Sequence, residues 1–243
     1  MLEIKALTGG YTNYAVLKNV TFSVNSGELV ALIGLNGAGK STTIKHIIGL
    51  MKPFSGEVTI NGKTVEMDAK AYRQQVTYIP ETPILYQELT LKEHLFVTGF
   101  AYGLSQEEAL DKAKPYLEAF GLMEKLDWFP AYFSKGMKQK VMITCAFMID
   151  ASVYIIDEPF LGLDPLAIRH LLTMIEDKKK KGAAVLMSTH VLSTAEKQCD
   201  TFVFIHDGII QAVGNLQALQ EQYQVPNASL DDLYIQMVNE ATK

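Results

Sequence analysis

Apolar and polar positions along this chain fall into runs of two kinds, and their order sets out a fold before any single residue is considered. Residues 29–33, Leu29-Val30-Ala31-Leu32-Ile33, are continuously apolar, as a strand covered on both faces should be. Runs at 153–156, 183–187 and 202–205 repeat that pattern with helical stretches between them, which predicts a parallel sheet with crossover helices. The best-defined of these helices has Asp164 as N-cap and Pro165 at its first position. It carries Ile168, Leu171, Leu172 and Ile175 on one face and stops at Gly182. Residues 17–24 alternate instead, and Val58-Thr59-Ile60 runs into Asn61-Gly62, a hairpin signal, so an antiparallel β layer is predicted near the N-terminus. Asp207-Gly208 joins 202–205 to 209–213 as a second hairpin.

The middle third reads differently. From about 88 to 150 the spacing is helical, opening with Thr90-Leu91-Lys92-Glu93 and again with Ser105-Gln106-Glu107-Glu108, both of which match the capping box. This predicts a helical insertion in the sheet domain. Pro115 should kink or split the second helix, and the aromatic cluster Trp128, Phe129, Tyr132 and Phe133 is expected to pack between helices. Beyond Pro226, Leu230, Leu233, Tyr234 and Met237 mark a last amphipathic helix with an apolar face fit for docking.

Composition narrows the function classes. The 243 residues suffice for one elaborated domain or two closely joined ones, and the net charge of −5 offers nucleic acid no general attraction. The only cationic run, Lys178 to Lys181, ends a helix before Gly182, where positive charge offsets the macrodipole. Cys145 and Cys199 lie far apart with no metal-ligand spacing, which fits a reduced, cytosolic setting. There is no signal-peptide pattern and no apolar run near the roughly twenty residues that span a bilayer. A membrane role is therefore expected only through a partner.

The chemistry is concentrated in Gly34-Leu35-Asn36-Gly37-Ala38-Gly39-Lys40-Ser41-Thr42, which spells G-x-x-x-x-G-K-S directly after the 29–33 strand. Glycines let the backbone bring its N–H groups close to phosphate oxygens, Lys40 supplies a cation to the outer phosphates, and Ser41 is placed to hold magnesium. A helix is expected from Ser41 toward Pro53, with Ile44, Ile47, Ile48 and Met51 on its apolar side and its N-terminal dipole aimed at the anion. The 153–156 strand ends in Asp157-Glu158, at the edge where an open α/β sheet presents its ligand-facing residues. Asp157 is the candidate metal ligand and Glu158 the candidate base that polarises a water for attack on the γ-phosphoryl group.

With both motifs in place, the chain resembles the ATP-binding cassette family, the nucleotide-binding subunits of ABC transporters, over nearly its whole length. Phe133-Ser134-Lys135-Gly136-Met137 is similar to the family signature Leu-Ser-Gly-Gly-Gln, Leu163-Asp164 to the D-loop and Ser188-Thr189-His190 to the switch histidine. Tyr11 is similar to the aromatic residue that stacks on adenine, and Tyr78-Ile79-Pro80-Glu81 to the Q-loop. The resemblance implies an α/β P-loop NTPase with a RecA-like core at about 1–87 and 151–225, a helical subdomain at about 88–150 and a C-terminal helix at about 226–243. It implies ATP and Mg²⁺ as ligands, with Ser134, Gly136 and Asp164 serving the nucleotide of a second copy, Ser41, Glu81 and Asp157 at the metal, and Glu158 and His190 catalytic. Longer matching stretches, such as residues 78–83, 133–140 and 157–164, point within the family to a transporter with a separate membrane-spanning partner and an exporter-like role. Nucleic acid is not an expected partner. A soluble ATP-driven machine and an ATP sensor with little turnover are the alternatives.

Three positions depart from the family pattern. Glu81 stands in place of glutamine and brings a further negative charge toward Asp157 and Glu158, while Lys135 and Met137 replace a glycine and a glutamine of the signature.

Overall fold

The computed structural model describes residues 1–241 and contains two sheets. Strands β1 (Leu2–Tyr11), β2 (Tyr14–Val24) and β4 (Ser55–Ile60) make an antiparallel layer in the order β2-β1-β4. The second sheet is built from β3 (Leu29–Ile33), β5 (Val76–Ile79), β6 (Val153–Asp157), β7 (Ala184–Ser188), β8 (Thr201–His206) and β9 (Ile209–Gly214), in the order β5-β6-β7-β3-β8-β9. All of its pairings are parallel except the β8–β9 hairpin. Every residue of β3, β6 and β7 is buried, as their unbroken apolar runs required.

The two-residue period assigns the core. From β6, Val153 and Ile155 face the antiparallel layer and pack with Leu2, Ile4 and Leu17, while Tyr154 and Ile156 enter a second cluster with the helices of the middle third. Those helices are α3 (Leu91–Ala101), α4 (Gln106–Phe120) and α5 (Lys135–Phe147); α1 (Lys40–Ile47) and α2 (Ala69–Arg73) precede them. Both capping boxes form. Thr90 and Glu93 exchange bonds of 2.7 and 3.3 Å, and Ser105 and Glu108 do so at 2.8 and 3.2 Å. After β6 come α6 (Pro165–Lys180), α7 (Leu192–Gln198), α8 (Leu216–Gln222) and α9 (Leu230–Ala241).

Several sequence expectations are corrected. Helix α1 ends at Ile47 rather than running toward Pro53, because Gly49 adopts φ 72° and the Gly49 and Leu50 amides close back on His46 and Lys45. Asn61-Gly62 makes a turn closed by an isolated Ile60–Lys63 bridge, and β4 pairs with β1 rather than with a strand that follows. Helix α4 is not split at Pro115. Both Pro115 and Asp111, whose carbonyl loses its helical donor there, are exposed, so water can satisfy that group. In the aromatic cluster only Phe133 is buried; Trp128 stacks on it, and Phe129 and Tyr132 remain exposed. Finally, α9 uses its apolar face internally: Leu230, Leu233 and Met237 pack with Ile33 of β3 and Phe202 and Phe204 of β8.

Three lysines of the run, Lys178, Lys179 and Lys180, also make ion pairs beyond any dipole effect. Lys178 is buried and donates to the Ile149 carbonyl and Asp150, while Lys179 pairs with Asp200 at 2.8 Å. Lys112, together with Lys178, holds the Asp150 carboxyl down at about 2. Both cysteines are free, and burial pushes their thiols up to about 12, so neither is a ready nucleophile.

Candidate functional site

Parallel register brings the chemistry to one edge. Leu32 of β3 and Asp157 of β6 both align with Ser188 of β7, so the segments leaving these three strands start side by side. They are the glycine loop, Glu158 and the Thr189-His190 pair, gathered at the carboxyl ends of the strands where this class of sheet binds ligands.

The glycine loop is shaped by close approach. A side chain at Gly34 would lie 2.4 Å from the Ile205 carbonyl of the neighbouring β8, and Gly39 holds φ 113° as the N-cap of α1. No side chain caps that helix, so its first N–H groups face the loop. Lys40 is buried, with its Nζ donating to the carbonyls of Gly34 at 2.7 Å and Leu35 at 3.3 Å. Gly34, Leu35, Asn36, Lys40 and Ser41 line a cavity of about 390 Å³ together with Glu81, Asp157, Glu158, Thr189, His190 and Tyr234. Gly37, Gly39 and Thr42 line a smaller one of about 190 Å³ that shares Leu35, Asn36, Lys40 and Ser41. Ala38 is buried at the turn, beside the space Gly34 leaves free.

Asp157 is the most crowded acid. It accepts from the Ser188 hydroxyl, and its charge adds to burial in raising the pKa of the nearby Tyr78 phenol. Burial raises its pKa above the ordinary carboxylate value, and the neighbouring Glu158 and Glu81 charges push the same way, against the Ser188 hydrogen bond and Lys40. Such a site gains by taking a cation. The donors on hand, two carboxylates and the Ser41 hydroxyl, are hard oxygens that suit magnesium. Among the described residues no cluster of three or more His, Cys, Asp or Glu could hold a metal by itself.

Glu158 sits at φ 46°, an uncommon backbone state for a residue with a Cβ. Its amide donates to the Ser188 carbonyl at 3.1 Å and hydroxyl at 3.2 Å, which holds the bend. Its Oε2 lies 2.7 Å from His190 Nδ1 and accepts the His190 amide at 3.2 Å. Glu158 is buried while the His190 side chain is 60 % exposed, so a fixed carboxylate carries a ring that reaches outward.

The remaining sequence candidates lie outside the main cavity. Tyr11 is half exposed and accepts a hydrogen bond from Lys45 of α1 at 2.9 Å. Ser134 caps α5 by accepting the Met137 amide at 3.3 Å. Gly136 packs so closely on the Gly162 carbonyl that an added Cβ would lie 2.4 Å from it. Asp164 caps α6 through the Ala167 amide and pairs with Lys140 of α5 at 2.7 Å. The start of α5 and the segment before α6 thus form one surface patch. Four residues gained significance only in three dimensions: Ser188 and Tyr78 at Asp157, Gln139 of α5, whose amide reaches the Pro80 carbonyl at 3.5 Å, and Tyr234. Ser188, which ends an apolar strand before His190, and Tyr78, in the segment that ends at Glu81, lay in motifs the sequence had marked, but for other reasons.

The sequence model for ABC transporters matches residues 17–161. The chain belongs to the ABC transporter family. It is similar to the ABC-type transporter ATP-binding protein EcsA of Bacillus subtilis (strain 168), with 58% identity over 99% of this chain and 97% of that protein. It is also similar to a solved ATP-binding subunit of an ABC transporter, with 56% identity, a TM-score of 0.95 and coverage of 98% of this chain and 99% of that one. A dimeric ATP-binding cassette solved in a post-hydrolysis state with ADP and Pi is 26% identical, with a TM-score of 0.77 over 89% of this chain and 99% of that one. The fold is therefore that of a P-loop NTPase, and the chain is an ATP-binding subunit of this family, whose cassettes are ATPases. None of its described helices is long and apolar enough to cross a membrane.

Proposed function

We propose that this subunit binds and hydrolyses Mg²⁺-ATP, works as a head-to-tail dimer with a second copy of itself, and drives a separate membrane-spanning subunit. One observation carries the reading: Lys40, Ser41, Asp157, Glu158 and His190 converge on one cavity, whereas Ser134, Gly136 and Asp164 gather on a separate surface. Two ATP molecules would then lie between the glycine loop of one copy and the Ser134 helix of the other.

Within that frame each residue has a defined duty. The loop N–H groups from Gly37 to Thr42 and the Lys40 ammonium take the phosphates once Lys40 exchanges its two carbonyl partners for phosphate oxygens. Tyr11 stacks on adenine. Ser41, Asp157 and Glu81 hold magnesium, which neutralises charge on the outer phosphates. Glu158 accepts the proton of the attacking water, and His190, held through Nδ1, keeps its other nitrogen for the transferred phosphoryl group. Loss of the shared phosphate contacts then separates the copies.

The membrane partner is supported by a run of bare apolar side chains after Glu81. Ile84, Tyr86, Val97 and Phe100 are exposed, and Tyr86 is fastened to α3 by its backbone N–H, which donates to His94 Nε2 at 2.9 Å. Docking there places the chain at the inner face of the membrane. Export is the direction that the segment-level resemblance implies. Purification of the subunit from native membranes tests this proposal: a multi-span protein is expected in stoichiometric amount, and ATP is expected to shift the isolated chain from monomer to dimer. Recovery of the subunit alone, with no ATP-dependent dimer, would refute it.

A further inference from the structure

We propose that Ser188 is a positioning residue for hydrolysis: its single hydroxyl fixes both the carboxylate of Asp157 and the backbone of Glu158, so that metal ligand and base are set as one unit. This rests on the nucleotide reading above and extends it to a residue outside both the glycine loop and the Asp157-Glu158 pair.

Strand β7 is apolar from Ala184 to Met187 and polar only at Ser188, which is wholly buried. An apolar side chain would meet the packing there, and a buried hydroxyl is costly unless it is hydrogen-bonded. Ser188 uses its oxygen in both senses. It donates to Asp157 Oδ1 and accepts the Glu158 amide at 3.2 Å. Its carbonyl accepts the same amide at 3.1 Å, so the Glu158 N–H is shared between two oxygens of one residue. Register explains why one residue reaches both. Strand β7 lies between β3 and β6, and Ser188 is aligned with Leu32 on one side and Asp157 on the other. The hydroxyl therefore stands where the chain leaves β6 for the uncommon φ of 46° at Glu158. From that bend Glu158 Oε2 returns to the amide and Nδ1 of His190, at 3.2 and 2.7 Å, which closes a ring of hydrogen bonds between residues 157–158 and 188–190. A carboxylate with one oxygen already held has its orientation set before an ion arrives. Partners of that kind are worth about 10- to 100-fold in metal affinity or activity.

Ser188→Ala in the full chain removes the hydroxyl oxygen and no other heavy atom. Affinity for a non-hydrolysable ATP analogue in EDTA should stay within about twofold of the original, whereas the magnesium concentration that supports tight binding should rise roughly tenfold. At saturating magnesium kcat should fall several-fold as Glu158 loses its alignment, with KM changed less than about twofold. In the nucleotide-free chain the Glu158 amide, left with the carbonyl alone, should exchange its proton several-fold faster. Ser188→Thr and Ser188→Val add the same bulk, so the difference between them reports the hydroxyl alone: the Thr variant should need less magnesium and exchange the Glu158 amide more slowly than the Val variant. Unaltered magnesium dependence in Ser188→Ala overturns the proposal, and so does a Thr variant no better than the Val variant. If the unmodified chain binds no ATP analogue, the nucleotide reading fails on its own count, while unchanged Glu158 exchange in Ser188→Ala would separately refute the hold on the bend.

Discussion

Asp157 and Asp164 stand close along the chain yet in opposite circumstances. Asp157 is buried at the end of β6 among Glu158, Glu81 and Tyr78, and its pKa is raised; Asp164 is exposed before α6, bonded to Lys140 and the Ala167 amide, and its pKa is lowered. The consequence for folding has opposite sign in the two places. A raised pKa means that the native state holds its proton more tightly than the unfolded chain, so the stability Asp157 contributes is present at low pH and lost as pH rises through its folded value. A lowered pKa means that Asp164 contributes above the ordinary carboxylate range and loses that contribution as pH falls. The first region stores cost where a cation and a phosphate are expected to relieve it, and the second is assembled from ordinary satisfied surface contacts. A surface that is content alone can wait for a partner, whereas the cavity is built to need a ligand.

The largest expected effect falls at the carboxylate beside Asp157. Glu158→Gln keeps the acceptor for His190 but removes the base, so kcat should fall by roughly 10²- to 10⁴-fold while ATP affinity stays within about twofold. Phosphate release and equilibrium binding check this, and ATP should now trap the dimer long enough to see by size exclusion. Turnover at the original rate would take Glu158 out of the base role.

Asp157→Asn tests the stored cost directly. Hydrolysis should fall on the order of 100-fold for want of a metal ligand, and yet without magnesium the variant should be the more stable protein at neutral pH, because the carboxylate no longer crowds Glu158 and Glu81. That advantage should shrink as pH is lowered into the range where Asp157 protonates. Thermal unfolding across pH measures it, and a variant less stable than the original at neutral pH would mean that the Ser188 bond outweighs the crowding.

How far the chain announced this contrast depends on the distance over which each signal acts. The glycine loop, both capping boxes and Asp164 with Pro165 were legible because their logic is complete within a few residues. Gly49 ended α1 early by a local conformation that apolar spacing does not report, and Pro115 passed through α4 because its side of the helix faces water. Helix α8 went unread, since its seven residues give too little periodicity. At the site, Lys40, Asp157 and Glu158 could be picked out in order, but Tyr78, Gln139 and Tyr234 acquire a place only when strands and helices distant in sequence are brought together. The crowding at Asp157 was foreshadowed by Glu81, although its chief cause is burial, which no motif states.

A smaller effect is expected on the surface patch. Lys135 is exposed at the first position of α5, where a cation opposes the helix dipole and a glutamate would suit it. Lys135→Glu should therefore fold at least as well as the original and bind ATP as a monomer equally well. If the triphosphate of the second copy sits there, reversing the charge should weaken the ATP-dependent dimer roughly tenfold, as sedimentation would show. An unaffected dimer would separate Lys135 from the interface and leave the cavity as the only charged half of the arrangement.

The smallest effect distinguishes the two duties of Asp164. Asparagine is as good an N-cap as aspartate, so Asp164→Asn keeps the bond to the Ala167 amide and removes only the charge that meets Lys140, whereas Asp164→Ala removes both. Because the pair is exposed, its loss should move the unfolding midpoint only slightly at neutral pH, and added salt should erase the difference. The sign is fixed by the lowered pKa: the original chain should lead Asp164→Asn above the ordinary carboxylate range and converge with it as acid protonates Asp164, while Asp164→Ala stays behind at every pH for want of its cap. ATP-driven dimerisation adds a second reading of the same pair. Lys140 of α5 and Asp164 before α6 bind the two segments of the patch to each other, so if a second copy docks on that patch, Asp164→Asn should weaken the dimer more than its small change in stability warrants. A dimer weakened no more than the fold itself would make the Lys140 pair a support for the monomer alone.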